Sequence, residues 1–197
     1  AMSMDDPNVY KTISDGKTLG IFQLESPGMT RFITELQPGN LEDIIAGIAL
    51  YRPGPMDQIP QYLENKKNPE RIKYLHPILE PILNVTYGCI IYQEQVMQIV
   101  RDLAGYTMGQ SDLVRRAMAK KKHDVMEKER VNFIAGAEKN GVAPDISNKI
   151  FDQMIDFASY AFNKAHAACY AVVGYETAWL KTYYPVEFMA ALLNSFM

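Results

Sequence analysis

The segment from Gln93 to Gly105 has the sequence QEQVMQIVRDLAG, and its pattern predicts an amphipathic α-helix. Its apolar residues recur at intervals of three and four, which is the spacing that places side chains on one face of a helix. The residues on this face are Val96, Ile99, Val100 and Leu103. Gly105 follows the last of them and ends the helix, because glycine readily adopts the left-handed conformation found at helix ends.

Similar helix signals lie on both sides of this segment and predict a mainly α protein. Ser26-Pro27 supplies a cap and a proline at the first helical position, and Pro38-Gly39 ends that helix. Pro144 begins another helix, and Asn163 can cap a long one.

Two short apolar runs follow glycines in the N-terminal half of the chain, at residues 20–24 and 88–92. Runs of this kind are typical of β-strands. We therefore expect a mainly helical domain with a few short strands in its N-terminal half.

The composition is that of a globular protein. The chain has 197 residues, of which 48% are hydrophobic and 22% are charged, and this excludes a disordered chain. No apolar run reaches the roughly 18 residues that a membrane span needs. Residues 1–3 are interpreted as an expression scar, and residues 4–197 are expected to form one domain. This domain can be divided into a mixed lobe, about 4–92, and an all-helical lobe, 93–197.

Residues 115–130 form a basic segment in a chain whose net charge is -3. The segment contains seven lysine or arginine residues and three aspartate or glutamate residues. Its first part, residues 115–122, has the sequence RRAMAKKK. Ser111 is predicted to cap the helix that carries this cluster. Guanidinium groups bind phosphate oxygens in pairs and lysines add positive charge, so the cluster is a candidate phosphate site. The alternative is a solvated basic helix end that interacts with the helix dipole.

The segment from Tyr160 to Tyr170 places polar-tipped side chains among alanines. Alanine side chains are small, so a flat ligand can approach the helix backbone closely. Tyrosine and histidine rings can stack on nucleic-acid bases. Lys164, near the helix start, could contact a phosphate. The alternative is tight packing of helices against the alanines. Together, the two segments carry the groups that a nucleotide pocket needs.

The chain has no recognisable catalytic motif of its own. GxSxG, GxxxxGK[ST] and GxGxxG are absent, and the three histidines do not have metal-ligand spacing, so no catalytic residue and no metal site are predicted. Cys89 and Cys169 form no CxxC pair, and a reducing cytoplasm is the simplest interpretation.

Several strings of the sequence resemble the alpha subunits of bacterial DNA polymerase III, the C family of replicative polymerases, and the DnaE type in particular. The strings are FQLES (22–26), YRPGP (51–55), YGCIIYQEQVM (87–97), RRAM (115–118), FNKAHAA (162–168) and AWLKTYYPVEF (178–188). They occur in order over nearly the whole chain. The resemblance implies that the chain is the fingers region, which follows the palm.

The resemblance also implies roles for individual residues. The nucleotide-binding residues would be Arg115, Arg116, Tyr160, Asn163, Lys164 and His166. Further phosphate or DNA contacts would come from Lys120, Lys121 and Lys122. Mg²⁺ would be held by palm aspartates that this chain lacks, so the chain alone would be inactive and would hold no cofactor.

The partners implied for the full-length protein are primed template DNA, dNTP, the sliding clamp and other replisome subunits. A bacterial cytoplasmic location at the nucleoid is implied with them, and no membrane partner is expected. The alternative from the residues alone is a non-catalytic helical module that binds nucleic acid or a protein.

Overall fold

A computed structural model describes residues 2–120, 123–158 and 162–195, and these residues are mainly α-helical, as predicted. The helices are α1 (Pro7–Ser14), α2 (Pro27–Leu36), α3 (Leu41–Leu50), α4 (Ile59–Lys67), α5 (Glu80–Leu83), α6 (Gln93–Ala104), α7 (Met108–Ala119), α8 (His123–Lys139), α9 (Pro144–Ala158), α10 (Lys164–Tyr183) and α11 (Pro185–Ser195). Short 3-10 helices lie at Pro55–Gln58, Pro69–Arg71, Pro77–Leu79 and Asn84–Thr86. Within these described ranges, no helix has both the length and the apolar character that crossing a membrane requires.

The chain divides into two compact units. The first unit consists of Ala1–Arg52 and Lys164–Met197, and the second is Pro53–Asn163. Helices α1–α3, α10 and α11 therefore belong to the first unit, and α4–α9 belong to the second. The lobe boundary suggested near residue 92 falls inside the second unit.

In the first unit, α10 is the central helix and packs against α1, α3 and α11. Tyr175 is fully buried on α10, with its ring centroid 5.3 Å from that of Tyr10. Its hydroxyl accepts a hydrogen bond from the backbone N–H of Asp6 at 3.0 Å. Packing of α10 against α1 and α3 places its first turn, which carries two predicted site residues, beside the start of α3.

In the second unit, α6 is central, and its predicted apolar face is buried. Helix α8 crosses it closely at Gly136, where an added Cβ would lie 2.3 Å from the carbonyl oxygen of Ala104. Helix α8 also packs on α9, with the rings of Phe133 and Phe151 5.4 Å apart. The other end of α6 is held by hydrogen bonds, since Gln93 contacts Arg115 on α7 and the carbonyl of Phe162, just before α10.

The strand predicted at residues 20–24 is wrong. The chain makes consecutive turns there, in which Ile21 N–H donates to the carbonyl of Thr18 and Leu24 N–H donates to the carbonyl of Ile21. Gly20 and Gln23 both have a positive φ, of 76° and 64°. Two left-handed residues within four positions cannot belong to an extended strand. The turns bury Ile21 and leave Phe22 exposed.

The strand predicted at residues 88–92 is also wrong. The segment is extended only near its end, where Tyr92 forms a single parallel bridge with Phe162. The N–H groups of Ile91 and Tyr92 donate to the side-chain oxygen of Gln95, at 2.8 and 3.0 Å. A buried side chain thus takes the hydrogen bonds that a neighbouring strand would have taken, and no ladder forms.

Candidate functional site

Helix α7 carries the two predicted arginines and begins at a capping box. The hydroxyl of Thr107 accepts from Gln110 N–H at 3.3 Å, and the side-chain oxygen of Gln110 accepts from Thr107 N–H at 2.8 Å. The predicted cap at Ser111 is wrong, because Ser111 lies inside the helix and its hydroxyl donates to the carbonyl of Met108. The cap fixes the start of a helix whose last two turns carry the arginines.

One carboxylate contacts both arginines on α7. Asp112 Oδ1 accepts from Nε and Nη2 of Arg115, at 3.0 and 2.7 Å, and Asp112 Oδ2 lies 2.6 Å from Nη2 of Arg116. The hydrogen bonds from Arg115 hold the pKa of Asp112 below its ordinary value, and the positive charges of Arg115 and Arg116 act in the same direction. Asp112 therefore remains ionised and keeps two guanidinium groups at one point on the helix surface.

The start of α6 brings Arg115 together with another predicted residue, Asn163. Nη1 of Arg115 donates to the side-chain oxygen of Gln93 at 3.0 Å. Nδ2 of Asn163 donates to Oε1 of Glu94 at 2.9 Å. Backbone bonds support this arrangement, since Gln93 N–H donates to the carbonyl of Phe162 at 2.9 Å. Two residues 48 positions apart in the chain are thus anchored on adjacent residues of one helix.

Gln95 fixes the backbone that leads into this helix start. Its side-chain oxygen accepts the two N–H groups described above, and its amide nitrogen donates to the carbonyl of Ile82 and to the hydroxyl of Thr86, at 3.2 and 2.7 Å. The side chain is buried, so its polar atoms need these partners. Gln93 and Glu94 therefore lie on a turn whose backbone is held by the hydrogen bonds of Gln95.

In the first unit, Lys164 and His166 lie on the first turn of α10. Nζ of Lys164 lies 3.0 Å from both carboxylate oxygens of Glu42 on α3. The ring of His166 is exposed and lies 4.4 Å from that of Tyr170, which is 5.2 Å from the ring of Phe22. The three rings form a row on the surface of this unit.

The other predicted residues are placed less fully. Lys120 is exposed at the end of α7. Lys121, Lys122 and Tyr160 lie outside the described residues. Arg115, Arg116 and Asn163 belong to the second unit, and Lys164 and His166 belong to the first. That all of them face one concave surface stays a prediction.

Sequence reasoning missed four residues that hold the predicted ones: Asp112, Gln93, Glu94 and Glu42. A signal existed for Asp112, which precedes the arginines by three and four positions, the spacing of neighbours on a helix. Gln93 and Glu94 lie in one of the strings that carry the resemblance. Glu42 has no local signal, because it contacts Lys164 only through tertiary packing.

Comparison with known proteins gives the family. Residues 1–141 match the model of the bacterial DNA polymerase III alpha subunit finger domain. The chain belongs to this family. Polymerase III alpha subunits from Chlamydia trachomatis and Thermus aquaticus are 53% and 48% identical to it, over 97% and 98% of its length. The alpha subunit of Haemophilus influenzae is 50% identical over the whole chain. The fingers region recognised in the sequence is thereby confirmed.

The chain spans a small part of these relatives. It covers 15% of the Chlamydia subunit, 16% of the Thermus subunit and 18% of the Haemophilus subunit. The relatives extend the similarity beyond residue 141, so α10 and α11 also belong to the region shared with polymerase III alpha subunits.

Proposed function

We propose that this chain binds the incoming dNTP and the template-primer as the fingers of a replicative DNA polymerase. The observation that carries the proposal is the pair of arginines on α7, gathered by Asp112 and joined through Gln93 to the helix start that also holds Asn163. Family membership supports the polymerase as the setting.

Arginine pairs suit a triphosphate. A guanidinium group offers five N–H donors in a planar fork, and it binds phosphate oxygens in a bidentate way. The side chain of Arg116 is 63% exposed, so a ligand can reach its donors. The proposed role of Arg115 and Arg116 is to neutralise and orient the triphosphate.

Residues of the first unit would contact the nucleotide base and the primer end. Phe22, Tyr170 and His166 form a row of tilted rings, with interplanar angles of 36° and 40°. A base could stack on one of these rings, and base–aromatic stacking contributes about 1–3 kcal/mol for each base. Lys164 supplies a positive charge on the same first turn of α10 as His166. The resemblance also assigns Tyr160 and Asn163 to nucleotide binding, and Lys120, Lys121 and Lys122 to contacts with DNA phosphates.

In the complete subunit, the primer 3′-hydroxyl would attack the α-phosphorus, forming the new P–O bond as pyrophosphate leaves. The share of this chain is to position the triphosphate and to neutralise its charge. Among the described residues, no group of three His, Cys, Asp or Glu side chains could hold a metal ion. In the complete subunit, Mg²⁺ would be held by the palm, and the sliding clamp and other replisome subunits would bind the full-length protein.

Covalent footprinting tests the proposal. The complete subunit, bound to primed template, is treated with an arginine reagent and a lysine reagent, with and without the next correct dNTP, and labelling is read by mass spectrometry. We expect dNTP to protect Arg116 and Lys164 together and to leave Arg71 unchanged, since Arg71 is an exposed arginine that pairs with the adjacent Glu70. Protection by duplex DNA with no response to dNTP would instead support a plain nucleic-acid-binding module.

A further inference from the structure

The side chains of Arg115 and Arg116 converge although their positions on the helix diverge. Consecutive residues of an α-helix point about 100° apart. Asp112 precedes them by three and four positions, so it lies between the two directions. Its two oxygens are divided between the arginines, with Oδ1 bound to Arg115 and Oδ2 bound to Arg116.

The two arginines are held to different degrees. Three N–H donors of Arg115 are engaged, two by Asp112 and one by Gln93, and its side chain is 27% exposed. Arg116 contacts Asp112 through Nη2 and is largely exposed. Arg115 is thus fixed at two ends, whereas Arg116 is tethered at one end and can still turn its fork toward a ligand.

We propose that Asp112 is a positioning residue of the triphosphate site, which gathers the guanidinium groups of Arg115 and Arg116 into a single phosphate-binding fork. This inference rests on the proposed function. In it, Arg115 is the fixed half of the fork and Arg116 is the half that reaches the phosphate. Without Asp112 the two groups follow their own helix directions, and a triphosphate must gather them when it binds.

The negative charge of Asp112 opposes this positioning effect, so the two contributions predict opposite changes in binding when Asp112 is neutralised. A carboxylate beside a phosphate site repels the phosphate, so removing its charge should by itself tighten binding. This repulsion is weakened by solvent and salt, because Asp112 and Arg116 are both partly exposed. Geometry should therefore outweigh charge, and neutralising Asp112 should weaken binding.

The experiment measures kcat and KM for dNTP with the complete polymerase subunit on a primed template. We expect Asp112→Asn to raise KM by roughly threefold to tenfold and to change kcat less than about twofold, since it removes positioning rather than a direct contact. Asp102→Asn is the matched control: it removes one carboxylate charge from α6, where Asp102 accepts from the Gln98 amide, and KM should not change.

Asp112→Glu separates geometry from charge, because it keeps the charge and moves the carboxylate by one methylene. The positioning role predicts a KM between those of wild type and Asp112→Asn. A KM that is unchanged or lower in Asp112→Asn would overturn the proposal, and so would a wild-type KM in Asp112→Glu. Arg116→Ala is measured alongside: if it leaves KM unchanged, the proposed triphosphate site itself is wrong, whereas a raised KM with a normal Asp112→Asn refutes only the role of Asp112.

Discussion

The two compact units each hold a predicted phosphate-binding cation against a carboxylate, but they do so over very different distances in the chain. In the second unit, Asp112 and its arginines lie on one helix, three and four residues apart. In the first unit, Lys164 on α10 pairs with Glu42 on α3, 122 positions away. The first arrangement requires only that α7 is helical, whereas the second requires that α3 and α10 pack correctly.

This difference predicts how each site responds to damage. The arginine pair should survive changes in packing as long as α7 keeps its capping box. The ion pair between Lys164 and Glu42 should form only while the first unit is correctly packed, because a small shift of α3 along α10 separates the two charges.

The largest expected effect is the absence of polymerase activity when this chain is studied apart from the rest of the subunit. On the proposed function, both cation sites assist a reaction whose metal ions are assigned to the palm of the complete subunit, so the purified 197-residue chain should incorporate no nucleotide on primed DNA with Mg²⁺. A primer-extension assay measures this. Template-dependent extension by the purified chain would show that catalytic groups lie within these two units.

Arg116→Ala in the complete subunit should have the next largest effect. A charge-assisted phosphate contact contributes on the order of 1.5–3 kcal/mol, so kcat/KM for dNTP should fall roughly tenfold to a hundredfold. Arg116→Lys should rescue only part of this loss, because lysine keeps the charge but not the fork. Steady-state kinetics on primed template measure both.

Lys128→Ala is the matched control for that measurement, since Lys128 belongs to the same basic segment but lies on α8. It should change kcat/KM much less than Arg116→Ala does. Arg116→Ala, Arg116→Lys and Lys128→Ala could instead lower kcat/KM equally, with the difference from wild type abolished by added salt. That result would mean that the segment attracts DNA through its general positive charge and that Arg116 does not bind the triphosphate.

The ion pair of the first unit should contribute little to stability. Lys164 and Glu42 are 33% and 42% exposed, so solvent screens their attraction, and exposed pairs typically contribute about 0–1 kcal/mol. A double-mutant cycle with Glu42→Gln and Lys164→Met, followed by chemical unfolding, measures the coupling free energy. A coupling well above this range would mean that the pair holds α3 and α10 together.

The smallest effect is a titration shift. The carboxyl of Asp112 should titrate below the usual aspartate range because Arg115 donates hydrogen bonds to its ionised form, and Arg115→Ala should raise this pKa. Since the pKa of Asp112 is lowered in the folded state, its interaction with Arg115 stabilises the folded protein fully at pH values above the unfolded-state pKa. It is lost as the pH falls through the lower, folded value. Carboxyl carbon NMR can follow the titration, and an Asp112 pKa unaffected by Arg115→Ala would contradict the assigned cause.

The helices were predictable because their signals are local. The apolar face of α6, the proline that begins α9 and the Ser26 cap of α2 each depend on neighbours within four positions, and the structure confirms all three. The two strands were mispredicted because their outcome depends on Gln23, which has a left-handed backbone, and on Gln95, whose side chain takes the ladder's hydrogen bonds.

For the site, the division lies between contacts within one helix and contacts between distant segments. The basic cluster was visible in the sequence, and Asp112 could have been found from its spacing to the two arginines. The pairing of Asn163 with Glu94 and of Lys164 with Glu42 could not be found in this way, because it depends on where distant helices begin and how they pack.

Gln95 has a consequence for how the second unit opens to solvent. Its side chain holds the amide protons of Ile91 and Tyr92, and the same side chain belongs to the first turn of α6. These two protons can exchange with deuterium when the Gln95 side chain releases them. That side chain is buried and is also bound to Ile82 and Thr86, which couples its release to opening of the first turn of α6. Their exchange rates should therefore match those of the first turn of α6, which makes residues 91–95 one cooperative opening unit.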